Sequence, residues 1–197
     1  RLDVEISDLG VVRDERAQLE AASREAASGG EAIITTGGVS VGEADFIRQL
    51  MAQLGEVLFW KIAMRPGRPM AFGRINSGAD SAFLFGLPGN PVAVMVTFYQ
   101  FVRDALLVLG GRTDAFEIPM LKAISASSLR KVPGRTEYHR GILFRDGGEW
   151  KVRPTGQQGS GVLRSMSEAN CFIVLEHARG GVESGEPVGV QLMDALA

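Results

Sequence analysis

A β-branched run that ends in glycines and then opens onto a helical repeat sets most of what this chain can become. Ala32 to Thr36 reads as a buried strand. Gly37 to Asp45 is a glycine-bearing loop, and Phe46 to Leu54 carries apolar residues at helical spacing. Strand–loop–helix units of this kind assemble into α/β sheets. Glycine lets a backbone approach a ligand closely, and a helix start offers unpaired N–H groups, so the loop could hold an anion. A phosphate there would meet the Gly37 and Gly38 N–H groups, with the Ser40 hydroxyl beside them. Glu43 and Asp45 lie in the same loop. A carboxylate close to bound phosphate needs a cation to offset the repulsion. Mg²⁺, held by Asp45, is the usual choice. The other reading of the same residues is a glycine turn followed by a capping aspartate.

Residues 1–112 continue this alternation. Val4 to Ile6 and Leu9 to Val12 read as strand, and Asp14 as the cap of a helix from Glu15 to Ala27 that Ser28-Gly29-Gly30 ends. Asp14 also falls at the C-terminal edge of a predicted strand, where open α/β sheets bind ligands. Strands are expected at Glu56 to Ala63, Met70 to Ile75 and Ala82 to Phe85, the last two around a polar hairpin. The fold class expected is α/β, a mostly parallel sheet with helices on both faces, incomplete at its N-terminus. Lys61, Arg65 and Arg68 place three cations near the end of one strand and its turn. Lys61 lies within an apolar run, so either an anionic ligand partners it or it reaches out to solvent. Gly86-Leu-Pro-Gly-Asn-Pro91 is a second strand-to-helix loop, with Pro88 stiffening it and Pro91 suited to the first helical position. It reads as a pocket wall or as a plain turn.

Helix patterns stop at Gly110-Gly111. Residues 113–197 hold short strands separated by glycine turns, which predicts a small all-β barrel or sandwich. Arg140 ends a strand pattern, and Ser160 sits in the glycine-rich loop Thr155 to Gly161. Together they could hold an oxyanion. Nothing in their spacing joins them, so structural roles are the simpler reading. Cys171 lies in an apolar strand and reads as core, with no metal-ligand spacing to His139 or His177.

The chain of 197 residues has a formal net charge of −2 and no basic tract, which argues against a nucleic-acid partner. One cysteine excludes an internal disulfide, and a reducing, cytoplasmic setting is the default. Residues 91–109 form the longest apolar stretch, but Gln100, Arg103 and Asp104 interrupt it. A helix buried between layers is expected there, rather than a membrane span. The sequence opens at Arg1 inside a strand pattern and reads as a fragment of a larger protein.

Three strings in order carry a resemblance: Thr36 to Asp45, Lys61 to Pro69, and Gly86 to Val92. Pro133 to Gly141 and Asn170 to Leu175 extend it. Together they resemble the molybdopterin molybdenumtransferases, a family that includes the C-terminal part of gephyrin. The resemblance covers the chain from about Leu9 onward. It implies the last two of four domains, the third without its first strand and helix. It implies insertion of molybdenum from molybdate into adenylylated molybdopterin, with release of AMP and help from a divalent cation. It implies that Asp14, Asp45, Lys61 and Arg65 are catalytic, with Asp45 at the metal. It assigns Gly37, Gly38, Ser40, Pro88 and Pro91 to substrate and nucleotide binding, and Arg140 and Ser160 to molybdate. The bacterial pattern carries lysine where this chain has Arg65, which keeps the charge and changes the geometry. A homodimer is implied for the full-length protein, with no nucleic-acid or membrane partner. The alternatives are a molybdopterin adenylyltransferase, which would lack the C-terminal β domain, and a gephyrin-like scaffold that binds without catalysis.

Overall fold

The computed structural model describes residues 2–37, 51–113, 118–156, 158–159 and 163–193. The chain divides into two compact units. One comprises Arg1–Ile62, Gly67–Asn90 and Thr97–Thr113; the other comprises Ala63–Pro66, Pro91–Val96 and Asp114–Ala197.

The first unit is an α/β layer. Its helix α1 is Arg16–Gly29 and its strands are β1 (Ala32–Thr36), β2 (Gly55–Lys61), β4 (Pro69–Ser77) and β5 (Asp80–Leu87). The sheet order is β1-β5-β4-β2. β1 runs parallel to β5, whereas β5–β4 and β4–β2 are antiparallel. The expectation of a mostly parallel sheet is therefore not met among the described strands. The reason is local: β4 and β5 are joined by a tight turn at residues 78–79, and a hairpin can only pair antiparallel.

One sheet face carries Ile33, Ile75, Ala82 and Leu84, which pack with Ala27, Leu19 and Ala26 of α1. Met51 and Leu54, from a helical turn at residues 51–54, complete this core. β1 has one partner among the described strands, and only Ile33 is buried; Ile34 and both threonines are exposed. Among the described strands it lies at the sheet edge, and it is not the buried strand its composition suggests.

Two further expectations change. Residues 2–12 form no strand, and Ile6 and Val11 are 82% and 99% exposed. A strand is stabilised only by a ladder partner, and no described strand offers these residues one. The N-cap of α1 falls on Glu15, not Asp14, and makes no side-chain capping bond.

Residues 91–109 are helical, in the order α2 (Pro91–Thr97), a π-helical turn (Phe98–Val102) and α3 (Arg103–Leu109). By length and composition this helix could cross a membrane, with a mean hydropathy of 1.7 in its most apolar window. Only 28% of that window is buried, at Val92, Ala93, Val96, Thr97 and Val102, so the expected burial of the helix is not met along most of its length. Arg103 and Asp104 pair at 2.8 Å within it.

The second unit is a closed barrel. Its strands are β3 (Met64–Arg65), β6 (Met120–Ser125), β7 (Thr136–Asp146), β8 (Glu149–Pro154), β9 (Cys171–Leu175) and β10 (Pro187–Leu192), with a short helix α4 (Arg164–Glu168). The order β7-β8-β6-β10-β9 returns to β7, and β3 adds to β7 in parallel. Closure works because β7 is long. Residues 137–141 pair with β9 and residues 141–146 with β8. The interior is filled by Leu143, Val152, Cys171, Ile173, Leu175, Val188 and Val190. Gly141 stands at the crossover, where a Cβ would sit 2.8 Å from Ile173 and 3.1 Å from the Cys171 sulfur.

Candidate functional site

In the first unit, β1, β5 and β2 all point the same way, so their C-terminal ends share one edge of the sheet. The ligand loops predicted from sequence leave from that edge. Gly37 follows β1 at φ 91°, a left-handed backbone that favours glycine. Its N–H donates to the Leu87 carbonyl at 3.1 Å. A Cβ on Gly89 would lie 3.5 Å from the Gly37 Cα, so the two loops meet backbone to backbone. Pro88 is buried beside them. Lys61 closes β2 opposite Pro69 at the same edge and is exposed. The Ile62 N–H donates to the Arg68 carbonyl at 2.8 Å, which folds the following turn back on the strand end. Gly37, Pro88 and Lys61 are thus gathered by strand direction alone. An exposed ammonium at the same sheet edge as a glycine loop suits an anion.

Asp14 is exposed, and Arg16 just beyond it is tied to Gln53 at 2.6 Å. Gly38, Ser40 and Asp45 lie outside the described residues. Among the described residues no group of three or more His, Cys, Asp or Glu gathers to hold a metal ion.

The second unit holds the more constrained arrangement. Arg140 of β7 is 1% exposed, the largest fully buried side chain among the described residues. Its Nε donates to Ser165 Oγ at 2.9 Å, and its Nη2 donates to the Gly159 carbonyl at 3.0 Å. No ion pair to Arg140 forms among the described residues. Burial, and secondly the nearby Arg65 guanidinium, lower its pKa from the ordinary arginine value. Arg65 sits on β3, its backbone paired with Glu137 of β7, and its side chain is exposed. Arginine keeps its charge even when buried. A guanidinium buried without a carboxylate among the described residues makes a site that an oxyanion would relieve. Ser160 lies outside the described residues, next in sequence to Gly159. Pro91 is exposed at the first position of α2.

The acids and bases on the other face of β7 are satisfied internally. Arg135, Glu137 and His139 alternate with Tyr138 and Arg140, so they share a face. Glu137 accepts from Arg135 at 2.8 Å and pairs with His139 at 2.9 Å. Burial pushes the Glu137 carboxyl up, but the His139 and Arg135 hydrogen bonds outweigh it and its pKa lies below the usual value. Burial pushes the Cys171 thiol up to about 12, as expected of a core cysteine.

Sequence reasoning missed Thr155, Gln158 and Ser165, which frame Arg140, and the Arg135–Glu137–His139 cluster. The cluster had a signal: charged residues at every second position of a strand. The frame had none, because its members are brought together by the barrel.

Comparison with known proteins gives the family. Residues 1–108 match the family described as "Probable molybdopterin binding domain", and residues 122–193 match "MoeA C-terminal region (domain IV)". A molybdopterin molybdenumtransferase of Haemophilus influenzae is 42% identical over 197 residues, covering 100% of this chain and 48% of that protein. Gephyrin of Dictyostelium discoideum is 31% identical, covering 97% of the chain and 29% of that protein. A crystal structure of the Pyrococcus horikoshii molybdopterin biosynthesis MoeA protein aligns with a TM-score of 0.72 at 29% identity, covering 93% of this chain and 42% of that one. The chain therefore spans about half the length, or less, of the curated relatives it matches. A match covering more than half of its residues makes this chain a member of the probable molybdopterin-binding domain family, continued by a MoeA C-terminal region.

Proposed function

We propose that the protein containing this chain inserts molybdenum from molybdate into adenylylated molybdopterin and releases AMP, the final step of molybdenum cofactor assembly. The observation that carries this reading is Arg140: a buried guanidinium with no carboxylate partner among the described residues. Such a site favours a small oxyanion over a neutral ligand. In this reading Arg140 and Ser160 hold molybdate. Gly37, Gly38, Ser40, Pro88 and Pro91 hold the nucleotide and pterin phosphates, and Asp14, Asp45, Lys61 and Arg65 act in the reaction. Lys61 and Arg65 would offset charge on the departing phosphate. A divalent cation, Mg²⁺, is assigned to Asp45, where it would screen the pyrophosphate. The described residues supply no cradle for that ion, and no step is derived through it. We further infer a cytoplasmic homodimer of the full-length protein, without nucleic-acid or membrane partners.

The similarity to the MoeA C-terminal region weighs against the adenylyltransferase alternative, which would lack that domain. The test is turnover in the full-length protein, followed as AMP release against molybdate concentration. Arg140→Ala is expected to raise the molybdate concentration for half-maximal rate by at least tenfold, the loss of a charge-assisted contact of about 1.5–3 kcal/mol. Asp45→Ala is expected to abolish turnover with folding intact. An unchanged molybdate dependence in the arginine variant would place the oxyanion elsewhere, and normal turnover in the aspartate variant would remove Asp45 from the reaction.

A further inference from the structure

The last strand pair of β7 with β8 is Gly141 with Pro154, and the next residue still reaches Arg140: the Arg140 carbonyl accepts from the Thr155 N–H at 2.9 Å and from Thr155 Oγ1 at 3.2 Å. The Arg140 N–H is met instead by the side chain of Gln158. Its Oε1 accepts from the Arg140 N–H at 2.8 Å, and its Nε2 donates to the Arg140 carbonyl at 3.1 Å and to the Thr155 carbonyl at 2.9 Å. Among side chains only a carboxamide offers a donor and an acceptor side by side in this way. The next residue, Gly159, grips the Arg140 head through its carbonyl. Backbone and guanidinium of Arg140 are therefore held by two consecutive residues of one loop. Ser165 completes the clamp at Nε, and its own carbonyl accepts from Thr155 Oγ1 at 3.1 Å. Of the five guanidinium N–H groups, these bonds use the one on Nε and one on Nη2. No bond from Nη1, or from the second N–H on Nη2, forms among the described residues.

We propose that Gln158 is a positioning residue for the oxyanion site, fixing Arg140 so that its remaining donors converge on the bound anion. This rests on the reading of Arg140 as a molybdate-holding group. The same strand supplies a control. Asn170 makes an equivalent two-point brace at Leu143, accepting from its N–H at 2.7 Å and donating to its carbonyl at 3.0 Å. It makes no bond to Arg140, so it serves the barrel and not the anion.

The experiment compares Gln158→Ala, Gln158→Glu, Asn170→Ala and Arg140→Ala in the full-length protein. The readouts are the half-saturating molybdate concentration, kcat at saturating molybdate, and the thermal midpoint. Gln158→Ala is expected to raise the half-saturating concentration roughly tenfold, with kcat within about twofold of wild type. Gln158→Glu retains the acceptor and loses the donor, so an intermediate shift is expected. It is read alone if the alanine variant is insoluble. Asn170→Ala is expected to lower the thermal midpoint without moving the molybdate dependence. An unmoved molybdate dependence in the soluble Gln158 variants, alongside a raised one in Arg140→Ala, would overturn this proposal and leave the parent reading standing. So would a shift of equal size in Asn170→Ala. An unmoved dependence in Arg140→Ala would overturn both.

Discussion

Arg140 and Glu137 are buried on opposite faces of one strand, and their partners give them different tasks. Glu137 is met by Arg135 and His139, so its charge is spent inside the fold. Among the described residues the Arg140 guanidinium meets only a hydroxyl and a carbonyl, so its buried charge is left without a carboxylate. The acid has a consequence for stability. A carboxyl whose folded pKa lies below its ordinary value of 4.5 stabilises the fold above that pH and loses the contribution as pH falls through the folded value. Wild type should therefore be more stable than Glu137→Gln near neutrality, with the gap closing below pH 4.5. Urea midpoints measured from pH 7 to pH 3 check this, and a gap that stays constant would show that the lost contribution is packing rather than charge.

At the scale of elements, β7 is the organiser of the barrel. Its eleven residues serve β3, β8 and β9, and side-chain amides brace it where the β8 and β9 ladders stop. Gly141 marks the handover, and a side chain there would collide with Ile173 and Cys171. Gly141→Ala is expected to destabilise the barrel by about 1–3 kcal/mol, as over-packing a filled core does. Chemical denaturation measures it, and a variant as stable as wild type would mean that Ile173 has room to move aside. Most described strands were legible from composition and turn residues, and so was Pro91 as a helix start. The region 2–12 was not. Its alternation reads as strand, but a ladder needs a partner, and none is present among the described strands.

At the scale of the molecule, each unit has its own apolar core. Ile75 lies in one and Ile173 in the other, both fully buried. Cores that are separate in this way should melt separately. Ile75→Ala and Ile173→Ala, each expected to cost about 2–5 kcal/mol, should lower different calorimetric transitions. A single transition lowered equally by both would show one cooperative unit instead. The loop that carries Gly37 and the loop that carries Pro88 were recognised one at a time in the sequence. That they abut follows from the parallel pairing of β1 with β5, since parallel strands end at the same edge.

The order of residues determined what lies within a few positions along the chain: strand and helix periods, glycine turns, an α/β portion followed by an all-β portion, and motif strings specific enough to indicate the family. These depend on local sterics and short-range periodicity. Tertiary structure alone decided the mixed sheet, the closure of the barrel, the outward burden on β1, and the clamp that Thr155, Gln158 and Ser165 place around Arg140. Each of those is set by which distant segments satisfy a backbone edge or a buried charge, and that choice is made only when the whole chain has folded.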